Sequence, residues 1–307
     1  MDFNEFFITN KKKIAIAVSA CGVLILAGSA FSKLNQRAAS QEVGKPGSNS
    51  NRKDSVQNEA LHHAPSSQLT KSHTVGEANA MPEAAPSFVL PALYKPSPEL
   101  VMSANPDSKL VALTFDAGSD AKAVPLILKA LKERNLKVTF FLTGKFCERF
   151  PMECREIADA GMELGNHSYR HPHFTKLSEK QIIEELERSE AAIIKACGRG
   201  AKPLFRFPYG DCNGRTQRIV AGQGYQPIRW TLDSLDSVGH KKSSEFVEAR
   251  INGKIKSGFI TLMHVSEIGS AEALPKIFEH LDKMGAKIVP VSEILKSKPN
   301  MEALPEG

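Results

Sequence analysis

Leu110-Val111-Ala112-Leu113-Thr114-Phe115-Asp116-Ala117-Gly118 is an apolar run that stops abruptly at a carboxylate and a glycine. A continuous run of this length, bounded by turn residues, reads as a strand buried on both faces, the habit of a parallel sheet. A helical pattern follows from Ala121 to Arg134, and the alternation then repeats. Strands are expected at Val138–Leu142, in the stretch before His167, at Pro203–Phe207, Gln226–Trp230, Phe259–Met263 and Lys287–Val289. Helices are expected around Glu153–Ala160 and, with Ser178 as N-cap, from Leu177 to about Ala196. About seven strand–helix alternations predict a parallel α/β architecture, with a barrel as the economical closure. A doubly wound open sheet is the alternative, but no Gly-rich phosphate turn follows the first strand.

Parallel strands collect functional groups at their C-terminal ends. Those ends carry Asp116, then Asn166-His167-Ser168-Tyr169-Arg170-His171, then Arg206-Phe207-Pro208-Tyr209-Gly210, then Asp233-Ser234-Leu235-Asp236, then Leu262-Met263-His264. Taken singly, Asp116 reads as a helix N-cap, Arg206 as a surface cation and His264 as a core histidine. Together they suit metal-assisted hydrolysis. His167 and His171, four residues apart, bring two imidazoles to one point if the segment turns helically, and imidazole suits zinc, cobalt and similar divalent ions. A cation held there lowers the pKa of a bound water from 15.7 to about 7. Asp116 would take the proton of that water as general base, and His264 would protonate the leaving group. Asp233 would orient His264, Arg206 would hold Asp116 ionised, and backbone N–H groups at the Pro208–Tyr209 turn would face an oxyanion.

These blocks, in this order, resemble the five motifs of the polysaccharide deacetylase family, the NodB-homology group also called carbohydrate esterase family 4. The resemblance covers about residues 108–295. It implies a distorted (β/α) barrel and metal-dependent removal of acetyl groups from N-acetylhexosamine polymers such as peptidoglycan or a chitin-like glycan. It implies Asp116 as base, His167 and His171 as metal ligands, Arg206 as tether of the base and Tyr209 at the oxyanion site. It further implies Asp233 as support of the acid His264, with Leu262 and Pro208 at the substrate. Two positions depart from the family pattern. The usual Thr-Phe-Asp-Asp-Gly reads Thr-Phe-Asp-Ala-Gly here, so the third metal ligand is replaced by Ala117, which coordinates nothing. Water or Asp120 would have to fill that corner, and weaker metal binding is expected. The aromatic residue that usually follows the Asp-x2-Asp motif is Ser237.

The rest of the chain bears on where such a protein works. Lys11-Lys12-Lys13 precedes an apolar run from Ile14 to Phe31. At about 1.5 Å per residue it spans roughly 27 Å, near the hydrocarbon thickness of a bilayer. Residues 1–32 therefore read as a signal anchor, or as a signal peptide cleaved near Gly28-Ser29-Ala30, with Val18-Ser19-Ala20-Cys21 as a weaker lipoprotein box. Residues 33–96, rich in Ser, Asn, Gln, Ala, Pro and Lys, read as a flexible tether. Residues 97–298 hold the catalytic domain and 299–307 a C-terminal tail. On this reading the bulk of the chain is exported and touches the membrane only through its N-terminal segment.

Export makes Cys147, Cys154, Cys197 and Cys212 candidates for two disulfides. Three pairings are open; Cys147 with Cys154 and Cys197 with Cys212 close the shortest loops, each stabilising by about 2–3 kcal/mol. The composition, 41% hydrophobic and 24% charged with net charge +6, is globular. No basic block is interleaved with aromatics, so a nucleic-acid partner has no support. A monomer is expected. Two other functions compete: a carbohydrate-binding protein whose metal chemistry has decayed at Ala117, and a hydrolase of another C–N bond needing little metal. Retention of Asp116, both histidines, Arg206, Asp233 and His264 weighs against the first, and the leader and cysteine count against the second.

Overall fold

The computed structural model describes residues 94–302. The leader, the tether up to residue 93, Cys21 and residues 303–307 lie outside the described residues. The opening apolar run forms β2 (Leu110–Ala117), buried from Val111 onward, after a short β1 (Leu100–Ser103). Every parallel neighbour gains from a strand that is apolar on both faces, so β2 sits inside the sheet rather than at an edge. It pairs in parallel with β3 (Thr139–Leu142) on one side and β8 (Ile260–His264) on the other. β4 (Glu163–Asn166), β5 (Leu204–Phe205), β6 (Gln226–Pro227) and β7 (Leu232–Asp233) complete the curled order β6-β5-β4-β3-β2-β8-β7, and β9 (Lys287–Ile288) pairs with the start of β2. This is the barrel-like α/β architecture expected, left open between β6 and β7.

The connecting helices are α1 (Val124–Glu133), α2 (Gly144–Arg149), α3 (Pro151–Asp159), α4 (Glu179–Cys197), α5 (Gly214–Gly222), α6 (Ser244–Asn252), α7 (Ile268–Lys283) and α8 (Val291–Lys296). α4 starts where expected, because Ser178 and Gln181 form a reciprocal capping box; it stops at Gly198, whose φ of 77° is open to glycine at little cost. Its buried face, Ile182, Leu186 and Ile193, packs on the sheet. Each such side chain stabilises the fold by about 1.5–3 kcal/mol when fully withdrawn from water.

Two expectations change. The strand expected to run to Trp230 ends at Pro227, although the Ile228 N–H still donates to the Phe205 carbonyl at 2.8 Å. Beyond it the chain crosses to β1, with the Arg229 N–H donating to the Val101 carbonyl at 2.9 Å. Residues 299–302 are not all tail, since β10 (Asn300–Glu302) pairs antiparallel with β1, Val101 facing Met301. Three mostly exposed residues carry too little alternation to announce a strand.

Candidate active site

Strand register brings the first pair of functional groups together. Asp116 on β2 lies directly opposite His264 on β8, and the two side chains rise from the same end of the sheet. β5 then delivers Arg206, wholly buried, with Nη1 at 2.7 Å from Asp116 Oδ1 and 2.8 Å from Thr114 Oγ1. The guanidinium lies 4.0 Å above the Phe141 ring, an aromatic face that replaces lost water. Burial pushes the Asp116 carboxyl up, but Arg206, then His167 and His264, outweigh it and hold it below its ordinary 3.8. Asp116 is thus a buried carboxylate, with Oδ2 at 3.3 Å from His167 Nε2.

The segment from His167 to His171 does not turn helically as the spacing suggested. It is an irregular loop in which Ser168 and His171 both take left-handed backbone, φ 69° and 62°. Side chains hold this strained path: Asn166 Oδ1 accepts from the Ser168 N–H, and Ser168 Oγ from the His171 N–H. The buried Glu185 of α4 accepts from the N–H groups of Tyr169 and Arg170 and from Arg170 Nε. The result is convergence by another route, with the two Nε2 atoms 3.2 Å apart.

His167 Nδ1 sits 2.8 Å from the Arg206 carbonyl, which makes Nδ1 the protonated nitrogen and leaves the Nε2 lone pair free. Burial lowers both imidazoles, His171 to about 4, so both are neutral donors at pH 7. This pair fits two ligands of a divalent cation. Among the described residues no group of three or more His, Cys, Asp or Glu side chains is arranged to hold a metal ion. Ala117 is buried in the apolar core, consistent with a missing third ligand. Asp120 does not replace it: the side chain is half exposed and turns to Lys122, accepting from its backbone N–H and pairing with Nζ at 3.2 Å.

His264 is oriented by a different aspartate from the one expected. His264 Nδ1 lies 2.7 Å from Oδ1 of Asp236, whose Oδ2 accepts from the His264 backbone N–H and from Ser270 Oγ. Asp233 instead accepts from the Leu235 N–H at 2.7 Å, shaping the turn in which Leu235 goes left-handed (φ 59°) and returns Asp236 to the site. Both acids of the Asp-x2-Asp block were visible in sequence, but only this turn decides which one reaches the imidazole. Burial pulls His264 down, yet Asp236 outweighs it and raises the imidazole above 6.5. Glu185, which clamps the histidine loop from a helix, carried no sequence signal beyond its place on an amphipathic face.

A cavity of about 270 Å³ opens over these groups, lined by Asp116, His167, His171 and His264 together with Thr143 and Lys145. Tyr209 does not line it but packs on His171, which does: it is exposed, with φ 59°, its ring edge-on to His171 at 4.4 Å and stacked on His173 at 4.3 Å. In that turn the Gly210 and Asp211 N–H groups bond back to Phe207 and Pro208, and proline has none. The Tyr209 N–H is the donor the turn has left. Pro208 and Leu262 are buried and do not line this cavity; Leu262 lies two register pairs below His264 on β8, opposite Thr114. Ser237 is exposed, and the aromatic surface beside the site comes from Tyr209 and His173.

A parallel α/β barrel with a carboxylate, two imidazoles, an arginine and a His–Asp pair at its strand ends defines a hydrolase of the polysaccharide deacetylase class. The family model described as polysaccharide deacetylase matches residues 103–228. A peptidoglycan-N-acetylglucosamine deacetylase of Bacillus cereus is 32% identical over 191 residues, covering 61% of this chain and 68% of that protein. The peptidoglycan-N-acetylmuramic acid deacetylase PdaA of Bacillus subtilis is 28% identical, covering 63% and 74%. A solved carbohydrate esterase family 4 pseudoenzyme from Bacillus anthracis superposes with a TM-score of 0.62 at 29% identity, covering 69% of this chain and 74% of its own. The chain belongs to the polysaccharide deacetylase family, carbohydrate esterase family 4.

Proposed function

We propose that this protein removes N-acetyl groups from N-acetylhexosamine residues of peptidoglycan, with Asp116 as general base and His264 as general acid. The observation that carries the reading is the register pair itself: an ionised, arginine-held Asp116 and a carboxylate-held His264 face one cavity from adjacent strands. Asp116 takes the proton of a water as its oxygen adds to the acetamide carbonyl. The Tyr209 N–H faces the oxyanion. His264 gives its Nε2 proton to the sugar nitrogen as the C–N bond breaks, yielding acetate and a free amine; Asp236 holds the imidazolium in the meantime. Base and acid catalysis are each typically worth 10²–10⁴-fold.

His167 and His171 would hold a divalent cation, zinc or cobalt by the softness of their donors. When bound it would polarise the acetamide carbonyl and make the water easier to deprotonate. The protein is proposed to act outside the cytoplasm as a monomer, attached or delivered through residues 14–31.

A second reading is a glycan-binding protein with little turnover. It is favoured by Ala117 and by the likeness to the Bacillus anthracis pseudoenzyme. The test is acetate release from purified peptidoglycan and from chitooligosaccharide, with Zn²⁺, Co²⁺ or chelator. Release that chelation and Asp116→Asn abolish supports the deacetylase. Glycan binding without release under every metal sinks it in favour of the second reading.

A further inference from the structure

A second cavity lies away from the proposed catalytic groups. It measures about 670 Å³ and runs along α4, lined by Tyr169, Arg188, Lys195 and Ala196, with Cys147 among its walls. Behind Cys147 sit two more cysteines. Cys154 Sγ is 3.5 Å from Cys147 Sγ, and Cys197 Sγ lies 3.4 Å from the Cys154 carbonyl. All three are buried, from three helices: α2, α3 and the last residue of α4. Cys212 is elsewhere, near Gln217 in a separate apolar cluster. The pairing of Cys197 with Cys212 that loop length favoured is therefore not supported, because the fold carries Cys197 to the α2–α3 elbow.

We propose that Cys147, Cys154 and Cys197 form a redox site in which a small disulfide, admitted through the cavity, is exchanged for a Cys147–Cys154 disulfide while Cys197 stays a thiol. Two cysteines in van der Waals contact need only a short approach to bond, and exchange runs by thiolate attack on a disulfide sulfur. Cys147 attacks first, being the one on the cavity wall. Its sulfur bonds to one sulfur of the incoming disulfide, whose other half leaves as a thiol carrying the Cys147 proton. Cys154 then attacks the mixed disulfide, and the second half leaves with the Cys154 proton. Two protein thiols are oxidised, and one disulfide is reduced to two thiols.

The site adjoins the histidine loop. α2 begins by donating from Gly144 and Lys145 N–H groups to the Ser168 and Tyr169 carbonyls, so a bond at Cys147 fastens the helix on which that loop rests.

The test treats the full-length protein with oxidised glutathione, caps free thiols with N-ethylmaleimide and maps tryptic peptides, which separate Cys147, Cys154, Cys197 and Cys212. Expected is the Phe146–Arg149 peptide linked to Phe150–Arg155, with Ala196–Arg199 capped and the thermal midpoint raised. Cys154→Ser should trap glutathione on Cys147. Capping of all three cysteines, or any linkage that includes Cys197, overturns the proposal whatever the fate of the variant.

Discussion

Asp236 holds His264 at two points, Oδ1 at 2.7 Å from Nδ1 and Oδ2 at 2.8 Å from the backbone N–H. Ser270 Oγ closes the arrangement on Oδ2. One carboxylate thereby sets both the tautomer of His264 and the end of the strand that carries it. Asp236→Asn should lower kcat/KM for acetate release by about 10²–10⁴-fold, the range of a general acid, and move the alkaline limb of the pH profile downward. Asp233→Asn, which touches only the turn, should cost far less. Equal losses in the two variants would refute the assignment.

The same pair governs stability against pH. His264 is raised in the folded state, so its contribution is full below the unfolded value of 6.5 and is lost as pH rises through the folded one. Asp116 and Asp236 are lowered, so theirs is full above 3.8 and is lost as pH falls through their folded values. The thermal midpoint should be highest between about pH 4 and 6.5 as far as these groups decide it. In Asp236→Asn the alkaline decline should flatten.

Arg206 and Asp116 form a wholly buried ion pair, whose members are costly to separate. Arg206→Met leaves Asp116 uncompensated and should destabilise the fold by about 3–5 kcal/mol in denaturant titration. Arg206→Met with Asp116→Asn should recover part of that loss while staying inactive.

Glu185 satisfies three donors of the histidine loop from a distance. Glu185→Ala leaves the Tyr169 and Arg170 N–H groups without their partner and should cost about 1–3 kcal/mol. Zinc affinity by calorimetry should fall as well, although Glu185 is no ligand; unchanged affinity would mean the loop holds its shape unaided.

Ala117→Asp restores a carboxylate where the family has its third ligand. Calorimetric titration with Zn²⁺ or Co²⁺ should show tighter binding than in the natural chain, since among the described residues the two imidazoles converge without a third ligand group. No gain would indicate that the third corner is already filled.

Much of this was legible in the linear chain. Apolar runs bounded by turn residues marked β2, β3 and β4, and the Ser178 cap marked α4, because burial and capping are local properties of pattern. The strand ends also exposed Asp116, His167, His171, Arg206 and His264 as one set, since parallel strands leave their functional groups at one edge. Contacts decided in space were not legible. Asp236 over Asp233 depended on one left-handed residue, Leu235, and the histidine pair converged through Ser168, His171 and a clamp from Glu185. The meeting of Cys197 with Cys147 and Cys154, rather than with Cys212, depended on where three helices pack. Sequence by itself determined the elements and the chemical inventory, because hydrophobic period and residue type act locally. Only the tertiary structure decided which groups touch, because a contact between distant residues is fixed by register, turn handedness and packing together.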